Sequence, residues 1–199
     1  MGGEPERDRL LRLIADYVLE HGIAGMTLRG LGSAIGTNNR MLLYYFGSKE
    51  QLIGQALGEA AQRFPAFTAG MAALDDPAVP LVDRLLAAWQ GIAAQENRPF
   101  LQLFFEVFGH AVHNPGRFDD FLARVGHDWT NQVAKALQAE GIPATEAVAL
   151  AREIVAVWRG LQFDLLSTGD AAAVAASYAG TAAAFAKRCE ATKSGQPAS

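Results

Sequence analysis

Two adjacent amides and a guanidinium are the side chains with the clearest chemistry in this chain. Asn38, Asn39 and Arg40 follow one another directly. An asparagine amide can pair with the N6/N7 edge of adenine and an arginine with O6/N7 of guanine, each discriminating a base by about 1–3 kcal/mol. The triplet therefore predicts a surface that reads base edges in the major groove of DNA.

The residues around this triplet suit contacts with the phosphate backbone. No aspartate or glutamate occurs between His21 and Lys49, whereas Arg29, Arg40 and Lys49 are basic. Phosphate contacts position a protein on DNA and carry the salt dependence of binding. The predicted hydroxyl and ammonium donors to phosphate are Thr27, Tyr44, Tyr45 and Lys49.

Short helices joined by a tight turn are predicted to present these side chains. Thr27, Asn38 and Ser48 can each cap the start of a helix by accepting a backbone N–H. Gly36 suits the left-handed conformation that ends a helix. Apolar residues three and four apart follow the first cap, namely Leu28, Leu31 and Ile35. The arrangement is that of a helix-turn-helix.

Composition restricts the class of protein. The chain has 199 residues, a net charge of −4 and one cysteine, Cys189. The acidic balance argues against a protein covered with nucleic acid but allows one local basic face. A single cysteine excludes an intramolecular disulfide and a cysteine zinc cluster. Because no signal peptide opens the chain and charges interrupt its Ala-rich segments, we expect a soluble, cytoplasmic protein.

The sequence contains no recognisable catalytic motif. We find no glycine-rich phosphate loop, no recognisable Ser/His/Asp or Cys/His grouping and no paired carboxylates in an apolar setting. His110, His113 and His127 are the one candidate metal set, but no carboxylate stands at a helpful spacing and histidines near a Pro-Gly turn are usually solvated. We predict neither an enzyme, nor a cofactor, nor a metal.

Helical periodicity dominates the chain, and no alternating β pattern or repeat occurs. We predict an all-α protein of about nine helices. Residues 1–50 form a three-helix domain with the helix-turn-helix, continuing into a linking helix over 48–64 that Pro65 ends or kinks. Residues 51–199 form a larger helical bundle, with a disordered tail over 190–199.

The pattern T-L-R-x-L-x-x-x-x-G-T-x-x-x-x-L-x-Y-x-F-x-S-K-E-x-L closely resembles the N-terminal domain of the tetracycline-repressor (TetR) family of transcriptional regulators. The resemblance covers about a quarter of the chain. It implies a homodimer whose recognition helices, Asn38 to Tyr44, enter successive major grooves of a palindromic operator. It adds Arg29, Thr37 and Leu43 to the predicted DNA-binding residues. The residues that carry it are Gly22, Thr27, Leu28, Leu31, Gly36, Thr37, Leu42, Tyr44, Phe46, Ser48, Lys49, Glu50 and Leu52.

Three positions depart from the family pattern. Leu43 stands where the family often has a tyrosine, so one backbone contact is absent or moves to Tyr44 or Tyr45. Gly32 stands where alanine is common and Ile35 where a small residue is common, which we interpret as an exchange of volume within the core. Glycine inside a helix costs roughly 1 kcal/mol relative to alanine.

Aromatic residues of the C-terminal helices have two interpretations. They are either core, or the walls of a cavity for an apolar or planar effector, with polar groups from His110, His113, His127, Asn131, Gln162 and Asp164. The resemblance favours a ligand site for part of the set. The predicted ligand-binding residues are Trp89, Phe104, Phe105, Phe108, His110, Trp129, Trp158 and Gln162.

The last two helices are the predicted dimer surface, because the first carries two apolar stripes and the second permits close helix approach. The alternative is a helix pair buried within one chain. The predicted interface residues are Ala147, Ala151, Val155, Trp158, Ala172, Ala176, Ala179, Gly180 and Ala183.

Together these patterns predict a ligand-responsive, homodimeric DNA-binding regulator, most often a repressor in such families. Two alternatives stay open: an activator of the same fold, and a helical sensor or structural dimer that does not bind an operator.

Overall fold

The computed structural model describes residues 6–193, and this part of the chain forms ten α-helices, three short 3-10 helices and no strand. The predicted all-α architecture is confirmed. The helices are α1 (Glu6–His21), α2 (Leu28–Ala34), α3 (Asn39–Phe46), α4 (Lys49–Ala61), α5 (Pro65–Ala72), α6 (Leu81–Ala93), α7 (Arg98–Val112), α8 (Asp119–Ala139), α9 (Ala144–Thr168) and α10 (Ala171–Lys193). The 3-10 helices are Ala73–Asp75, Gln95–Asn97 and Pro115–Arg117.

Backbone contacts divide the described chain into two compact units. Unit 1 contains the residues up to Phe64 and Arg98–Val125, and unit 2 contains Pro65–Asn97 and the residues from Gly126 onward. Helix α7 thus belongs with the N-terminal helices, a grouping that the sequence did not suggest. The predicted domain limit at residue 50 stays a prediction.

In unit 1, the helix starts of the predicted helix-turn-helix are set by side-chain caps. Thr27, Asn38 and Ser48 all have extended backbones and accept a hydrogen bond from a backbone N–H of the helix that follows, as predicted. Gly36, in the turn after α2, has φ of +75°, a conformation that favours glycine. The capped N–H groups are those of Gly30 at 3.1 Å, Met41 at 3.0 Å and Gln51 at 3.0 Å.

Gly32 packs closely against the turn that follows α2. A Cβ at position 32 would lie 3.1 Å from the carbonyl oxygen of Thr37 and 3.3 Å from Cα of Asn38. Gly32 is buried whereas Ile35 is half-buried. The chain folds back closely after α2, so a Cβ at position 32 would require the turn to shift by a few tenths of an ångström.

Helix α5 in unit 2 was not predicted. Pro65 was expected to end or kink the preceding helix, but α4 ends at Ala61 and Pro65 starts a new helix, where its missing N–H is tolerated. A Cβ on Gly70 would lie 2.8 Å from Cα of Gly91, and one on Gly91 would lie 2.5 Å from the carbonyl oxygen of Ala66. Helices α5 and α6 therefore cross with their backbones in direct contact.

A buried arginine links several elements of unit 2. Arg84 on α6 is only 1% exposed, and it donates to the carbonyl oxygen of Leu74 at 3.0 Å and to the carboxylate of Glu140. Glu140 also accepts from Lys193 at 2.6 Å. The hydrogen bond from Lys193, with the two positive charges, holds the pKa of Glu140 below its ordinary value. Cys189, on α10, is buried, and burial raises the pKa of its thiol.

The C-terminal end differs from the prediction. A disordered tail was expected over 190–199, but α10 extends to Lys193, so residues 190–193 are helical. The rest of that predicted tail lies outside the described residues. Among the helices described, none combines the length and the apolar character needed to cross a bilayer.

Candidate nucleic-acid interface and buried aromatic cluster

Helix α3 exposes one face that carries most of the predicted base-reading chemistry. Asn39, Arg40, Leu43 and Tyr44 are all exposed, and their spacing of one and four residues places them on one face of the helix. The exposed fraction is 76% for Tyr44 and 41% for Leu43. The opposite face is buried through Leu42 and Phe46. The structure therefore presents an amide, a guanidinium, a phenol and an apolar group side by side.

Asn38 has a structural task that Asn39 does not share. The Oδ1 atom of Asn38 accepts the N–H of Met41 at 3.0 Å and caps α3. A bidentate contact with adenine needs both Oδ1 and Nδ2 of an asparagine. Asn39 is exposed beside Arg40, so it is better placed than Asn38 to read a base.

The other predicted DNA-binding residues flank this face with different exposures. Thr27 and Arg29 are exposed, whereas Thr37 and Tyr45 are half-buried. The ring of Tyr45 packs edge-on against that of Tyr44, with 5.0 Å between the ring centroids. Tyr45 therefore packs beside Tyr44 and is only partly accessible to a phosphate.

Lys49 is tied to the fold as well as being cationic. Its Nζ donates to the carbonyl oxygen of Met26, immediately before the cap of α2. The side chain is half-buried. An ammonium group carries three hydrogen-bond donors, so Lys49 can bind a phosphate as well as Met26. The contact with Met26 joins the start of α4 to the start of α2.

Glu106 on α7 is a functional candidate that the sequence did not indicate. Its Oε1 accepts the backbone N–H of Ile23 at 3.0 Å and that of Ala24 at 2.7 Å. A Cβ at Gly22, where φ is +69°, would lie 2.6 Å from the Glu106 carboxylate. One carboxylate thus fixes the turn between α1 and α2. No local pattern reveals this contact, because the partners lie more than eighty residues apart.

Unit 1 also has an open cleft of about 530 Å³. Its buried aromatic residues are Phe46, Phe118 and Phe121. Around them stand groups of both signs, including an ion pair of Glu50 with Arg117 at 3.4 Å. This cleft differs from the apolar ligand site that the sequence predicts, and it contains none of the predicted ligand-binding residues.

Unit 2 brings four of the predicted ligand-binding residues into its core. Trp89 is 2% exposed and Trp158 and Gln162 are fully buried, while Trp129 is half-buried and packs against the hydrophobic core of the unit. The ring centroids of Trp129 and Trp158 are 6.3 Å apart. Tyr178 on α10, which was not predicted, completes the cluster, since its ring lies 5.3 Å from that of Trp89 and 6.5 Å from that of Trp158.

The remaining predicted ligand-binding residues belong to unit 1. The rings of Phe104 and Phe108 stack at 6.2 Å, and Phe105 packs edge-on against Phe104 at 5.4 Å. His110 is exposed and lies 5.6 Å from the ring of Phe118. The aromatic residues that looked like one set in the sequence therefore form two clusters in two units.

Of the polar candidates for the ligand site, only Gln162 is buried. The other candidates, His110, His113, His127, Asn131 and Asp164, are exposed. Within residues 6–193, no group of three or more His, Cys, Asp or Glu side chains is placed to hold a metal ion.

The predicted dimer residues separate by helix. On α9, the stripe of Ala147, Ala151, Val155 and Trp158 is buried inside unit 2, so the same chain already covers it. The α9 face that is exposed instead carries Ala156, Gly160 and Phe163, with Phe163 65% exposed. The predicted α10 residues are all exposed, namely Ala172, Ala176, Ala179, Gly180 and Ala183.

Comparison with known proteins agrees with this geometry. The family model described as "Bacterial regulatory proteins, tetR family" matches residues 11–56, which contain α2, α3 and most of the helices on either side of them, α1 and α4. Comparison with curated protein sequences gives no match.

Solved structures share the fold over nearly the whole chain. The multidrug binding protein EbrR, complexed with imidazole, is 24% identical over 92% of this chain and 90% of its own, with a TM-score of 0.70. GusR of Salmonella enterica is 21% identical over 94% of this chain and 98% of its own, with a TM-score of 0.70. BioQ, solved with its double-stranded DNA operator, is 16% identical over 93% of this chain and 98% of its own, with a TM-score of 0.57.

At these identities the solved structures establish the fold, and the family match identifies the N-terminal domain. Residues 11–56 match the model of the tetR family of bacterial regulatory proteins, and the chain shares the fold of solved TetR-family transcriptional regulators.

Proposed function

We propose that this protein is a homodimeric regulator that binds a palindromic DNA operator through α3 and is released from it by a small molecule. The observation that carries the proposal is the exposed face of α3, where Asn39 and Arg40 stand beside Tyr44 in a segment without a carboxylate. Base edges are read by amides and guanidinium groups, and the absence of nearby acidic residues avoids repulsion from phosphate.

A second copy of the chain is required for a palindrome to be read. The exposed small residues of α10 and the exposed Phe163 and Gly160 of α9 are the surface that we assign to that copy. Small side chains allow close approach of helices, and an aromatic ring that is 65% exposed in one chain gains from being covered. The two recognition helices would then lie about 34–36 Å apart, one turn of B-DNA.

The effector site that we propose is the aromatic cluster of unit 2, with Trp89, Trp129, Trp158 and Gln162. The effector would favour a dimer state in which the recognition helices are spaced wrongly for adjacent major grooves. It can shift that equilibrium only by the difference between its affinities for the two states. EbrR, of the same fold, was solved with imidazole bound, and BioQ with its operator, which supports one chain having both kinds of site.

Operator selection is the decisive experiment. The purified protein is incubated with random double-stranded DNA at moderate salt, and the retained fragments are sequenced. A palindromic site should be enriched, with half-sites one helical turn apart. Absence of any enriched site would overturn the DNA-binding proposal and leave a helical sensor or structural dimer. Reporter expression from the selected site, with and without the protein, then decides between repression, which we propose, and activation.

A further inference from the structure

We propose that the buried cluster of unit 2 takes a neutral, planar molecule that presents a hydrogen-bond donor and acceptor side by side, as a lactam does. This inference rests on the proposed effector response and names the chemical class of the effector. It is carried by the side chains of Gln162, Trp158 and Tyr178.

Gln162 is the centre of the argument. It is fully buried on α9, and neither its Nε2 nor its Oε1 has a hydrogen-bond partner among the described residues. A buried polar group without a partner costs free energy, and native proteins leave few such groups. A primary amide with both ends unsatisfied is matched by a molecule that accepts from Nε2 and donates to Oε1.

Two further polar atoms in the cluster are in the same situation. Trp158 precedes Gln162 by one helical turn. Its Nε1 and the hydroxyl of Tyr178 form no hydrogen bond of normal geometry with a described residue, although the indole lies near enough to the phenol to act on its pKa. Burial raises the pKa of Tyr178, an effect that the neighbouring Trp158 indole only partly offsets. The phenol therefore stays protonated, and the three groups are a neutral amide, indole and phenol. A charged ligand would lose its hydration against them without gaining a counter-charge.

The walls of the cluster select for a flat molecule. Aromatic rings pack against both Tyr178 and Trp158, with Trp89 5.3 Å from Tyr178 and Trp129 6.3 Å from Trp158 between ring centroids. Aromatic side chains pack best against other planar rings. Trp129 and Phe67, whose ring centroids are 5.6 Å apart, are both only partly buried. They form the edge that a ligand displaces on its way to the buried groups.

The test uses the full-length protein and two probes of the same shape. Carbostyril is a planar bicyclic lactam with an N–H beside a C=O, and naphthalene has the same two fused rings without polar atoms. Binding is measured by equilibrium dialysis. We expect carbostyril to bind roughly tenfold to a hundredfold more tightly than naphthalene, because naphthalene leaves the amide of Gln162 unsatisfied.

Substitutions assign that preference to the proposed atoms. Gln162→Leu should remove most of the preference for carbostyril over naphthalene and raise the unfolding temperature of the unliganded protein, since it removes a buried amide without partners. Tyr178→Phe removes one hydroxyl without opening a cavity, and it should lower the preference for carbostyril while the protein remains folded. Gln90→Leu, at an exposed position of α6, should leave the preference unchanged.

Three results would overturn the inference: no binding of carbostyril, equal binding of both probes to the unsubstituted protein, or an unaltered preference in Gln162→Leu. A lower unfolding temperature of Gln162→Leu would also count against it, because the amide would then be satisfied by ordered water in a structural role. Operator selection separates this failure from failure of the proposed function. A protein that selects an operator but ignores carbostyril keeps the function and loses the effector class.

Discussion

The carboxylate of Glu106 accepts the backbone N–H of Ala24 at 2.7 Å, so a residue of α7 fixes the turn that leads into the helix-turn-helix. The same oxygen accepts the N–H of Ile23. This places a contact that fixes the start of the helix-turn-helix far outside residues 11–56, which alone match the family model.

Glu106→Ala should destabilise unit 1 by about 1–2 kcal/mol, because two backbone N–H groups lose their acceptor. Operator affinity should fall in parallel. Glu106→Gln keeps an amide oxygen and should be affected less. Gln102→Ala, at an exposed position of the same helix, is the matched control. Equal unfolding temperatures of Glu106→Ala and Gln102→Ala would show that the turn holds its shape without the carboxylate.

Arg40→Ala should relax the preference at one base position, at a cost of about 1–3 kcal/mol there, because Arg40 is exposed on the α3 face. Sequencing of the sites that the variant selects from random DNA measures this loss of base preference. Asn39→Ala should relax a neighbouring position in the same way. A uniform loss across all sequences would mean that Arg40 contacts phosphate instead.

Lys49→Ala should weaken all sites about equally, since an ammonium near phosphate carries no sequence information. It should also lower the unfolding temperature, because the contact with the carbonyl oxygen of Met26 is lost. Lys135→Ala, at an exposed position of α8, is the control for removal of a positive charge. A change of base preference in Lys49→Ala, with unaltered stability, would contradict both roles.

Gly91→Ala should destabilise the protein by about 1–3 kcal/mol through overpacking. The added Cβ would lie 2.5 Å from the carbonyl oxygen of Ala66 and 2.6 Å from Cα of Gly70. Gly126→Ala is the control, since it is helical and a Cβ there meets nothing within 4 Å. That change should be neutral or stabilise by up to about 1 kcal/mol. The midpoint of denaturant unfolding should therefore fall in Gly91→Ala and either stay the same or rise in Gly126→Ala.

The ion pairs of Glu140 predict that the free energy of unfolding depends on pH in the acid range. Hydrogen bonding to Lys193 lowers the pKa of folded Glu140 from 4.5, so the unfolded chain binds this proton more readily. The stabilisation is therefore present above pH 4.5 and is lost as the pH falls through the lower pKa of the folded state. Glu140→Gln should flatten this part of the curve of unfolding free energy against pH. An unaltered slope would assign the acid sensitivity to other carboxylates.

Ala179→Glu should shift sedimentation from dimer towards monomer, because Ala179 is exposed on the α10 face assigned to the second copy. A charge buried at such an interface without a partner is costly. Ala139→Glu, at an exposed position near the end of α8, should leave sedimentation unchanged. An unaltered dimer in Ala179→Glu would place the interface elsewhere.

Sequence reasoning succeeded where the determinants are local. The caps at Thr27, Asn38 and Ser48 each depend on one side chain and on an N–H within three residues, so the starts of α2, α3 and α4 were predictable. The exposed face of α3 follows from the same helix start and from helical periodicity.

The structural features that the sequence did not predict all depend on contacts between residues that are distant in the chain. Helix α5 is apolar nearly all round, so it has no periodic stripe, and it packs on α6 through Gly70 and Gly91. Helix α9 carries two apolar stripes, and only the packing of unit 2 shows that the one with Ala147 and Trp158 faces the core. The buried tyrosine of α10, Tyr178, is flanked by alanines and serine, and nothing in that pattern marks it as part of the aromatic cluster.

The single cysteine gives α10 a chemical reporter. Cys189 is 2% exposed, and burial raises the pKa of its thiol, so a thiol reagent reaches it only when this end of α10 detaches from unit 2. With one cysteine in the chain, the rate of labelling under native conditions measures the frequency of that opening without interference from any other site. Effector or operator binding that tightens or loosens α10 would therefore be visible as a change in a single rate constant.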